Sequence, residues 1–409
     1  MARDYKDLIV GLDIGTAKVM AVVAELLPEG MLKVAGLGVA PSNGLKRGVV
    51  VNIDATVQSI QQALKEAELM ADCKITRVYT GITGSHIRGL NSQGMVAIKD
   101  REVTAADVAR VVETARAISL ASDQRLLLVE PQEFMIDNQE VREPIGMSGI
   151  RLEAKVHIVT GAQSAAENIL KCVRRCGLEV EQLLVNPQAS SLSVLTADEK
   201  DLGVALVDIG AGTTDVRIFT NGAVRHTAVI PIAGDLITND IAMALRTPTR
   251  DAEDIKVEHG TAKQLLADPE IQVEVPGLGD RGPRMLSKQA LAGVIEPRVE
   301  EIFSLVQQVI RESNYEEVLS SGIVLTGGSA VMPGMVELGE DIFLKPVRRG
   351  TPQYLGALAD MVAQPRAATV MGLLEEARLA RVRGQKIAGS SGPVKGMLAR
   401  VRDFIVGNF

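Results

Sequence analysis

Apolar positions along this chain alternate between two periods. Residues 8–12, "LIVGL", and 19–24, "VMAVVA", are continuous apolar, β-branched runs around the polar turn "DIGTAK". Such runs, bounded by glycine and polar residues, read as buried strands. The stretch "DATVQSIQQALKEAELMA" (54–71) changes to helical spacing and predicts a helix with Asp54 as its N-cap. "ITRVYTGITG" is strand-like again and ends in glycines.

Residues 85–155 read as a separate module: "GMVAIKD", a helix "TAADVARVVETARAISL" capped by Thr104, then strands in "QRLLLVEPQEFMID" and "GMSGIRLEAKVHIVTG". This is a small α+β pattern. Helix "SAAENILKCVRRCGL" and strand "EVEQLLV" return to the main fold. Residues 203–232 give strand "GVALVDI", turn "GAGTTD", then strands "VRIFTNG" and "AVRHTAVIPI", with Asn221-Gly222 as a hairpin signal. Helices are predicted at 235–246 and 251–266. A polar loop, "VPGLGDRGPR", precedes a long helix from about 287 to 313, with Pro297 as an expected kink. Strand "GIVLTGG", helix "PGMVELGEDIF" and a last globular helix ending near Arg383 follow. "GQKIAGSSGP" reads as a flexible linker.

After that linker comes "VKGMLARVRDFIVGNF". On a helix, Val394, Met397, Leu398, Val401, Phe404, Ile405 and Phe409 form one stripe, while Lys395, Arg400 and Arg402 fall outside it. From Arg378 onward there are seven basic residues and one acid. The formal net charge of −7 therefore divides into +6 on the tail and −13 on the rest. A basic tail on an acidic body points to an anionic partner for the tail alone. Sixteen helical residues span about 24 Å, too short and too charged to cross a bilayer. Burial of seven apolar side chains at roughly 1.5–3 kcal/mol each favours an interfacial helix, offset by the ordering of a short helix. Reversible binding to a membrane surface, strengthened by avidity, is the expectation.

Composition narrows the rest. Hydrophobic residues make up 46% and charged residues 23%, a globular balance that leaves room for several domains in 409 residues. Aromatics are 2% with no Trp, which, with the negative charge, argues against a nucleic-acid partner. Three cysteines (Cys73, Cys172, Cys176) fit a reducing compartment, and four scattered histidines form no ligand cluster. Neither a signal peptide nor a spanning segment is evident, so the cytoplasm is the expected compartment.

Two stretches share one design. "LIVGLDIGTAKVMAVV" and "VALVDIGAGTTDVRIF" each deliver an Asp from a buried strand to the mouth of a glycine turn, and Asp13 and Asp208 are 195 positions apart. A repeat at that spacing indicates domain duplication. Gly15, Gly210 and Gly212 allow tight turns that approach a bulky anion, and successive backbone N–H groups can cradle it. Thr16, Thr213 and Thr214 add hydroxyls and Lys18 a positive charge. Asp13 and Asp208 would hold Mg²⁺ through water. In "VLTGGSAVMPGM", Gly327 and Gly328 would let the backbone lie against a base and ribose. Neither a P-loop nor a dinucleotide fingerprint is present.

With these motifs the chain resembles the actin and heat-shock-chaperone ATPase superfamily. The resemblance implies an α/β, actin-like (ribonuclease H-like) duplicated fold binding ATP with Mg²⁺. The phosphate motifs would be Asp13, Gly15, Thr16, Ala17 and Lys18, and Asp208, Gly210, Ala211, Gly212, Thr213 and Thr214. Gly327, Gly328 and Ser329 would form the adenosine motif, and "AEDIK" would place Glu253 and Lys256 at the ribose and base. The connecting helix would begin within "QLLVNPQASSLSVL". Asp215 and Asn186 would position the attacking water. Asn186 stands where hydrolysing relatives carry Glu or Gln, and Asn is no general base, so binding with at most weak hydrolysis is implied.

"EPQEFMID", "GMSGIRLEAKVHIVT", "VDIGAGTTDVRIFTNGAVRHTAVIPIAGD", "VIEPRVEEIF" and "IVLTGGSA" narrow the resemblance to the bacterial cell-division FtsA family, nearly end to end. It implies a first lobe at 1–84 and 161–198, an inserted subdomain at 85–160 and a second lobe at 199–240 and 320–383. A small subdomain at 241–319, a linker at 384–393 and a membrane-targeting helix at 394–409 complete the division. The implied role is a filament-forming adaptor on the inner face of the cytoplasmic membrane at midcell. It would tether FtsZ through that protein's C-terminal peptide, with Arg284, Lys288 and Arg298 as candidate contacts, and recruit later division proteins through the insert. A sugar or acetate kinase of the same superfamily would need a catalytic base between the lobes, and none is evident. A chaperone ATPase would need a substrate domain after the nucleotide fold. A pilus-assembly adaptor shares the insert design but would not carry the terminal helix.

Overall fold

The structure is a computed structural model and describes residues 7–279 and 282–382. The linker and terminal helix expected at 384–409 lie outside the described residues.

In the first lobe, β1 (Leu8–Ile14), β2 (Lys18–Leu26) and β3 (Leu32–Pro41) form an antiparallel meander. A short ribbon, β4 (Leu45–Lys46) and β5 (Val49–Val50), leads into α1 (Ile53–Ala71), and β6 (Arg77–Ile82) lies parallel to β1. The insert follows as β7 (Arg88–Ala97), α2 (Ala105–Arg116), β8 (Gln124–Ile136), β9 (Gln139–Val141) and β10 (Arg151–Ala162). Its strands form their own sheet in the order β7-β10-β8-β9. Val108, Val111 and Val112 of α2 share a buried core with Phe134, Leu152 and Val156 of that sheet. Then α3 (Gln163–Arg175) and β11 (Glu179–Val185) complete a first-lobe sheet ordered β11-β6-β1-β2-β3.

Helices α4 (Asn186–Val194) and α5 (Ala197–Leu202) lead into β12 (Val204–Ile209), β13 (Thr214–Thr220) and β14 (Ala223–Ile230). Next come α6 (Gly234–Leu245), α7 (Thr249–His259), the hairpin β15 (Gln272–Val275) and β16 (Arg284–Ser287), and α8 (Lys288–Glu312). The chain returns through β17 (Ile323–Thr326), α9 (Met335–Phe343), β18 (Val347–Arg349), α10 (Ala359–Val362) and α11 (Ala368–Val382). The second sheet runs β14-β13-β12-β17-β18. In both lobes an antiparallel meander is extended from its first strand by two parallel strands, so the duplication expected from the two turns is a duplication of the whole sheet.

Strand alternation explains why both faces of each sheet are covered. In the first lobe, Leu12, Val19, Ala21 and Val23 face a core completed by α1 and α3, while Ile9, Met20 and Val22 face α11. In the second, Val207, Ile209 and Val216 face α6 and α8, while Val204, Leu206 and Phe219 share a cluster with Val194 of α4 and Ala368 of α11. The crossing helices α4 and α11 approach so closely that a Cβ on Gly372 would lie 1.7 Å from the Ala189 carbonyl oxygen.

Several local expectations are corrected. Asn52 caps α1, its Oδ1 accepting from the Ala55 N–H at 3.0 Å, while Asp54 pairs with Arg175 at 2.7 Å. The insert helix stops at Arg116 rather than near Leu120. The helix expected over 251–266 ends at His259, where Gly260 breaks it and a separate 3₁₀ turn covers Gln264–Leu266. The segment read as a polar loop before α8 contributes to the β15–β16 hairpin. The turn after β12 is shorter than "GAGTTD", because Thr214 and Asp215 already pair in β13.

Candidate functional site

The two Asp-Ile-Gly turns are structural twins. In each, a residue pair closes the strands (Ile14 with Val19, Ile209 with Thr214) and four residues form the loop. The same backbone hydrogen bond ties both loops: the Gly15 N–H donates to the Lys18 carbonyl and the Gly210 N–H to the Thr213 carbonyl, each at 2.9 Å. The loops meet across the lobes. A Cβ on Gly212 would stand 2.5 Å from Thr16 Oγ1 and 2.8 Å from Arg47 Cα, so glycine is required for this approach.

Between them lies a cavity of about 350 Å³. Among the predicted residues, Asp13, Gly15, Thr16, Ala17, Lys18, Asn186, Asp208, Gly210, Ala211, Gly212, Thr213, Asp215, Glu253, Lys256, Gly327, Gly328 and Ser329 all line it. Thr214 does not: its hydroxyl donates to the Ile232 carbonyl at 2.7 Å. Thr16 Oγ1 accepts from the Gly48 N–H at 3.0 Å, which fixes the first loop to the β4–β5 ribbon. Gly327, expected to lie against a nucleoside, also supports the Asp208 carboxylate. It has φ +88°, and a Cβ there would be 2.4 Å from Asp208 Oδ1.

The floor concentrates charge. Burial pushes the Asp13 carboxyl up to about 6, against the pull of Lys18 and with a further push from Asp208. Asp215 is pushed up to about 8 by burial and by Asp208. Asp208 is also raised, chiefly by burial, although Ser190 donates to it at 2.5 Å. Burial holds the Lys18 ammonium down to about 8, and its Nζ donates to the Arg366 carbonyl at 2.6 Å. Asp13 and Asp208 both lie in the field of Lys18, and their oxygens suit a hard divalent cation held through water; among the described residues no group of three or more acidic, His or Cys side chains is placed to grip a metal directly. Asn186 Oδ1 is buried with no protein partner, an acceptor that fits a water or ligand donor.

One end of the cavity is built from α6 and α7. Lys256 Nζ donates to Glu253 Oε2 at 2.7 Å, to Thr238 Oγ1 at 2.8 Å and to the Gly234 carbonyl at 3.2 Å. Val257, Val331 and Met332 supply an apolar wall. Sequence reasoning missed these, together with Thr83, Ser190, Arg366 and Thr369. Thr83, from the end of β6, reaches across the lobes and donates within 2.9 Å of both Asp215 oxygens. The glycine-rich "TGITGS" that places it was its only signal.

The other candidate contacts lie apart from this cleft. Arg298 on α8 is committed to Asp240, with Nε–Oδ2 at 2.6 Å, and to Glu301. Arg284 donates to the Leu245 carbonyl. Lys288 begins α8 and is half-buried. The terminal-helix residues from Val394 to Phe409 lie outside the described residues. Among the described residues, no helix is long and apolar enough to cross a membrane.

A family model described as "Cell division protein FtsA" matches residues 205–372, and one described as "SHS2 domain inserted in FTSA" matches residues 84–160. The cell division protein FtsA of Pseudomonas aeruginosa is 55% identical over 409 residues, covering 98% of both chains. FtsA of Neisseria meningitidis is 50% identical, covering 97% of this chain and 98% of that one. FtsA of Escherichia coli K12 is 46% identical, covering 94% and 93%. Among solved structures, the PilM–PilN type IV pilus biogenesis complex matches with a TM-score of 0.65 at 19% identity, covering 91% of this chain and 98% of that one. MreB5 of Spiroplasma citri bound to ADP matches with a TM-score of 0.54 at 14% identity, covering 93% and 98%. These likenesses establish an actin-like fold.

Proposed function

The chain belongs to the FtsA family of cell-division proteins, and from that premise we propose that it is an ATP-binding, filament-forming adaptor that tethers FtsZ filaments to the inner face of the cytoplasmic membrane at midcell. The observation that carries the nucleotide part is the pair of twin loops closing on one cavity floored by Asp13 and Asp208. Mg²⁺, when bound, would neutralise phosphate charge there, held through water by those two carboxylates. Beyond the Gly15 and Gly210 amides, which close the two turns, loop residues 16–18 and 211–213 would offer backbone N–H groups to the phosphates, and Lys18 adds a cation beside Asp13. Lys256 and Glu253 fix the sugar edge, and Val257, Val331 and Met332 exclude water from the base.

Hydrolysis is weak on this reading. Asp215 is held by Thr83 and raised well above the usual carboxylate range, and Asn186 can orient a water without taking its proton. Nucleotide closure of the cleft would link the two lobes and so set the shape presented to neighbouring copies in a filament.

The membrane part rests on the stripe from Val394 to Phe409 and its basic flank. Contact with the C-terminal peptide of FtsZ is assigned to the small subdomain carrying Arg284, Lys288 and Arg298, and recruitment of later division proteins to the insert. Liposome co-sedimentation of the full chain and of a chain ending at Gly392, each with and without FtsZ, tests the adaptor. Truncation is expected to abolish sedimentation of both proteins with lipid and to leave ATP binding unchanged. Retention of membrane binding and FtsZ recruitment by the truncated chain would overturn the proposal.

A further inference from the structure

A second cavity, of about 740 Å³, borders α11 and shares no lining residue with the nucleotide cleft. Leu27 and Met31 of the β2–β3 turn, Leu192 and Leu195 around the end of α4, Leu355 and Met371 give it an apolar lining. Leu355 is fully exposed and Met31 more than half exposed. The loop that presents Leu355 is pinned rather than loose. The Tyr354 hydroxyl accepts from the Val34 N–H at 2.8 Å, and Leu358 sits in the left-handed region at φ +62°. A firmly held loop that displays a bare leucine beside an apolar groove is built to be covered.

The position of the groove says what covers it. Met371, Glu375 and Arg378 line it from α11, and Val382 continues the same helical face at i+11. The Val382 side chain lies 3.6 Å from where a Cβ on Gly30, another lining residue, would stand. Val382 is also the last described residue. The described chain therefore ends beside this groove. After eleven intervening residues begins a 16-residue segment in which seven apolar positions would share one stripe on a helix. Its Arg and Lys lie off that stripe and can stay in water while the stripe is buried.

We propose that this groove is the lipid-free docking site of the chain's own segment Val394–Phe409, which is released when the segment enters a membrane. The inference rests on the reading of that segment as a membrane-binding helix. A short tether gives the segment it carries an effective concentration in the millimolar range, so even a weak groove is filled. Docking lowers apparent lipid affinity by the fraction of chains left undocked. It also makes the two uses of the stripe mutually exclusive, because the same apolar side chains serve both.

Hydrogen–deuterium exchange on the full chain, compared with a chain ending at Gly392, reads the docked state. Without lipid, backbone amides at 27–33 and 351–358 should exchange several-fold faster in the truncated chain. In the full chain, phosphatidylethanolamine–phosphatidylglycerol vesicles should raise exchange there to the truncated level. Leu355→Glu should expose the same amides and raise vesicle affinity about tenfold, while exchange in β1 and β6 stays unchanged and reports an intact fold.

Equal exchange in the two chains overturns docking, and vesicle binding by the full chain then still supports the membrane reading. Faster exchange on truncation without any vesicle binding overturns the membrane reading and leaves the segment as a fixed part of the body, which also overturns its release. Protection that grows with protein concentration assigns the groove to another copy's segment. Protection of the truncated chain by vesicles assigns it to lipid. Either result overturns docking in cis.

Discussion

At the scale of single residues, the cleft shows which roles a linear pattern can carry. The two Asp-Ile-Gly turns were legible because aspartate, glycine and hydroxyl residues recur at one spacing between apolar strands. Ser190 and Thr369 were not, because their hydroxyls reach Asp208 from two crossing helices that no local pattern connects. Gly327 lines the cavity and has a second role that the pattern did not show. Its positive φ and its contact with Asp208 make it a support for that carboxylate. Gly327→Ala would drive a methyl group into Asp208 Oδ1 and the Ile209 carbonyl in a backbone conformation that alanine avoids. Magnesium-dependent ATP affinity should fall at least tenfold, about 1.4 kcal/mol, by nucleotide titration, with the circular dichroism spectrum retained. Asn186 gives the opposite test. Its Oδ1 is buried without a partner at the mouth of α4, and a longer amide would reach further toward a water. Asn186→Gln should raise phosphate release several-fold in a coupled assay while ATP affinity changes less than about threefold. Unchanged turnover would show that reach at this position does not limit hydrolysis.

At the scale of elements, glycine both hid structure and made it possible. The segment Leu32–Pro41, whose apolar run is interrupted by Gly36 and Gly38, received no reading from its sequence and is the ten-residue β3. Those glycines are present because α1 lies directly on them: a Cβ on Gly38 would sit 2.0 Å from the Ala63 carbonyl oxygen. The β15–β16 hairpin escaped notice for a simpler reason, since four-residue strands around a polar, glycine-rich turn carry too little periodicity to register. The α4–α11 crossing has the same logic as β3. It joins the lobes, buries Ala189 and Leu374 in one cluster, and relies on a bare backbone at Gly372. Gly372→Ala should destabilise the chain by about 3 kcal/mol or more, because the contact is with backbone and cannot be relieved by a rotamer change. Urea denaturation reads this as a lower midpoint. Because Thr369 and Ser190 sit on these helices, ATP affinity should fall in the same variant. An intact midpoint would mean that the helices separate without cost.

At the scale of the whole molecule, duplication was legible and docking was not. The repeated turn announced two lobes, and the change of pattern after residue 84 announced an insert. Nothing in the sequence said that the insert, which leaves the first lobe after β6, would pack on β14 of the second. That contact joins a small apolar cluster, Leu128 and Val159 with Val229, to a set of polar pairs: Asn91 Nδ2 donates to the Arg225 carbonyl, Gln132 Nε2 donates to the Val224 carbonyl, and Arg217 and Arg225 pair with Glu130 and Glu133. At its centre His157 is fully buried, bonded through Nδ1 to Asn91 Oδ1 at 2.7 Å and through Nε2 to Thr227 Oγ1 at 2.9 Å. Burial, with Arg217 and His226 nearby, holds its imidazole down to about 3. The folded chain therefore refuses a proton that the unfolded chain accepts near 6.5, so stability falls as pH drops below 6.5 and continues to fall toward 3. One such group contributes about 1.4 kcal/mol per pH unit in that window. His226, lowered chiefly by burial, acts with the same sign. Glu133 is held below its ordinary range by Lys155 and Arg225 against the effect of burial, so its share is lost only at lower pH. Between pH 6.5 and 5 the buried carboxyls of the cleft, Asp13 raised to about 6 and Asp215 to about 8, act with the opposite sign, because the folded chain holds protons there that the unfolded chain releases. The test is therefore the difference between two chains: His157→Gln should shift the slope of midpoint against pH by about one proton's worth toward acid tolerance, at the cost of a lower midpoint at pH 7.5. An unchanged slope would place the acid sensitivity outside the contact between the insert and the second lobe.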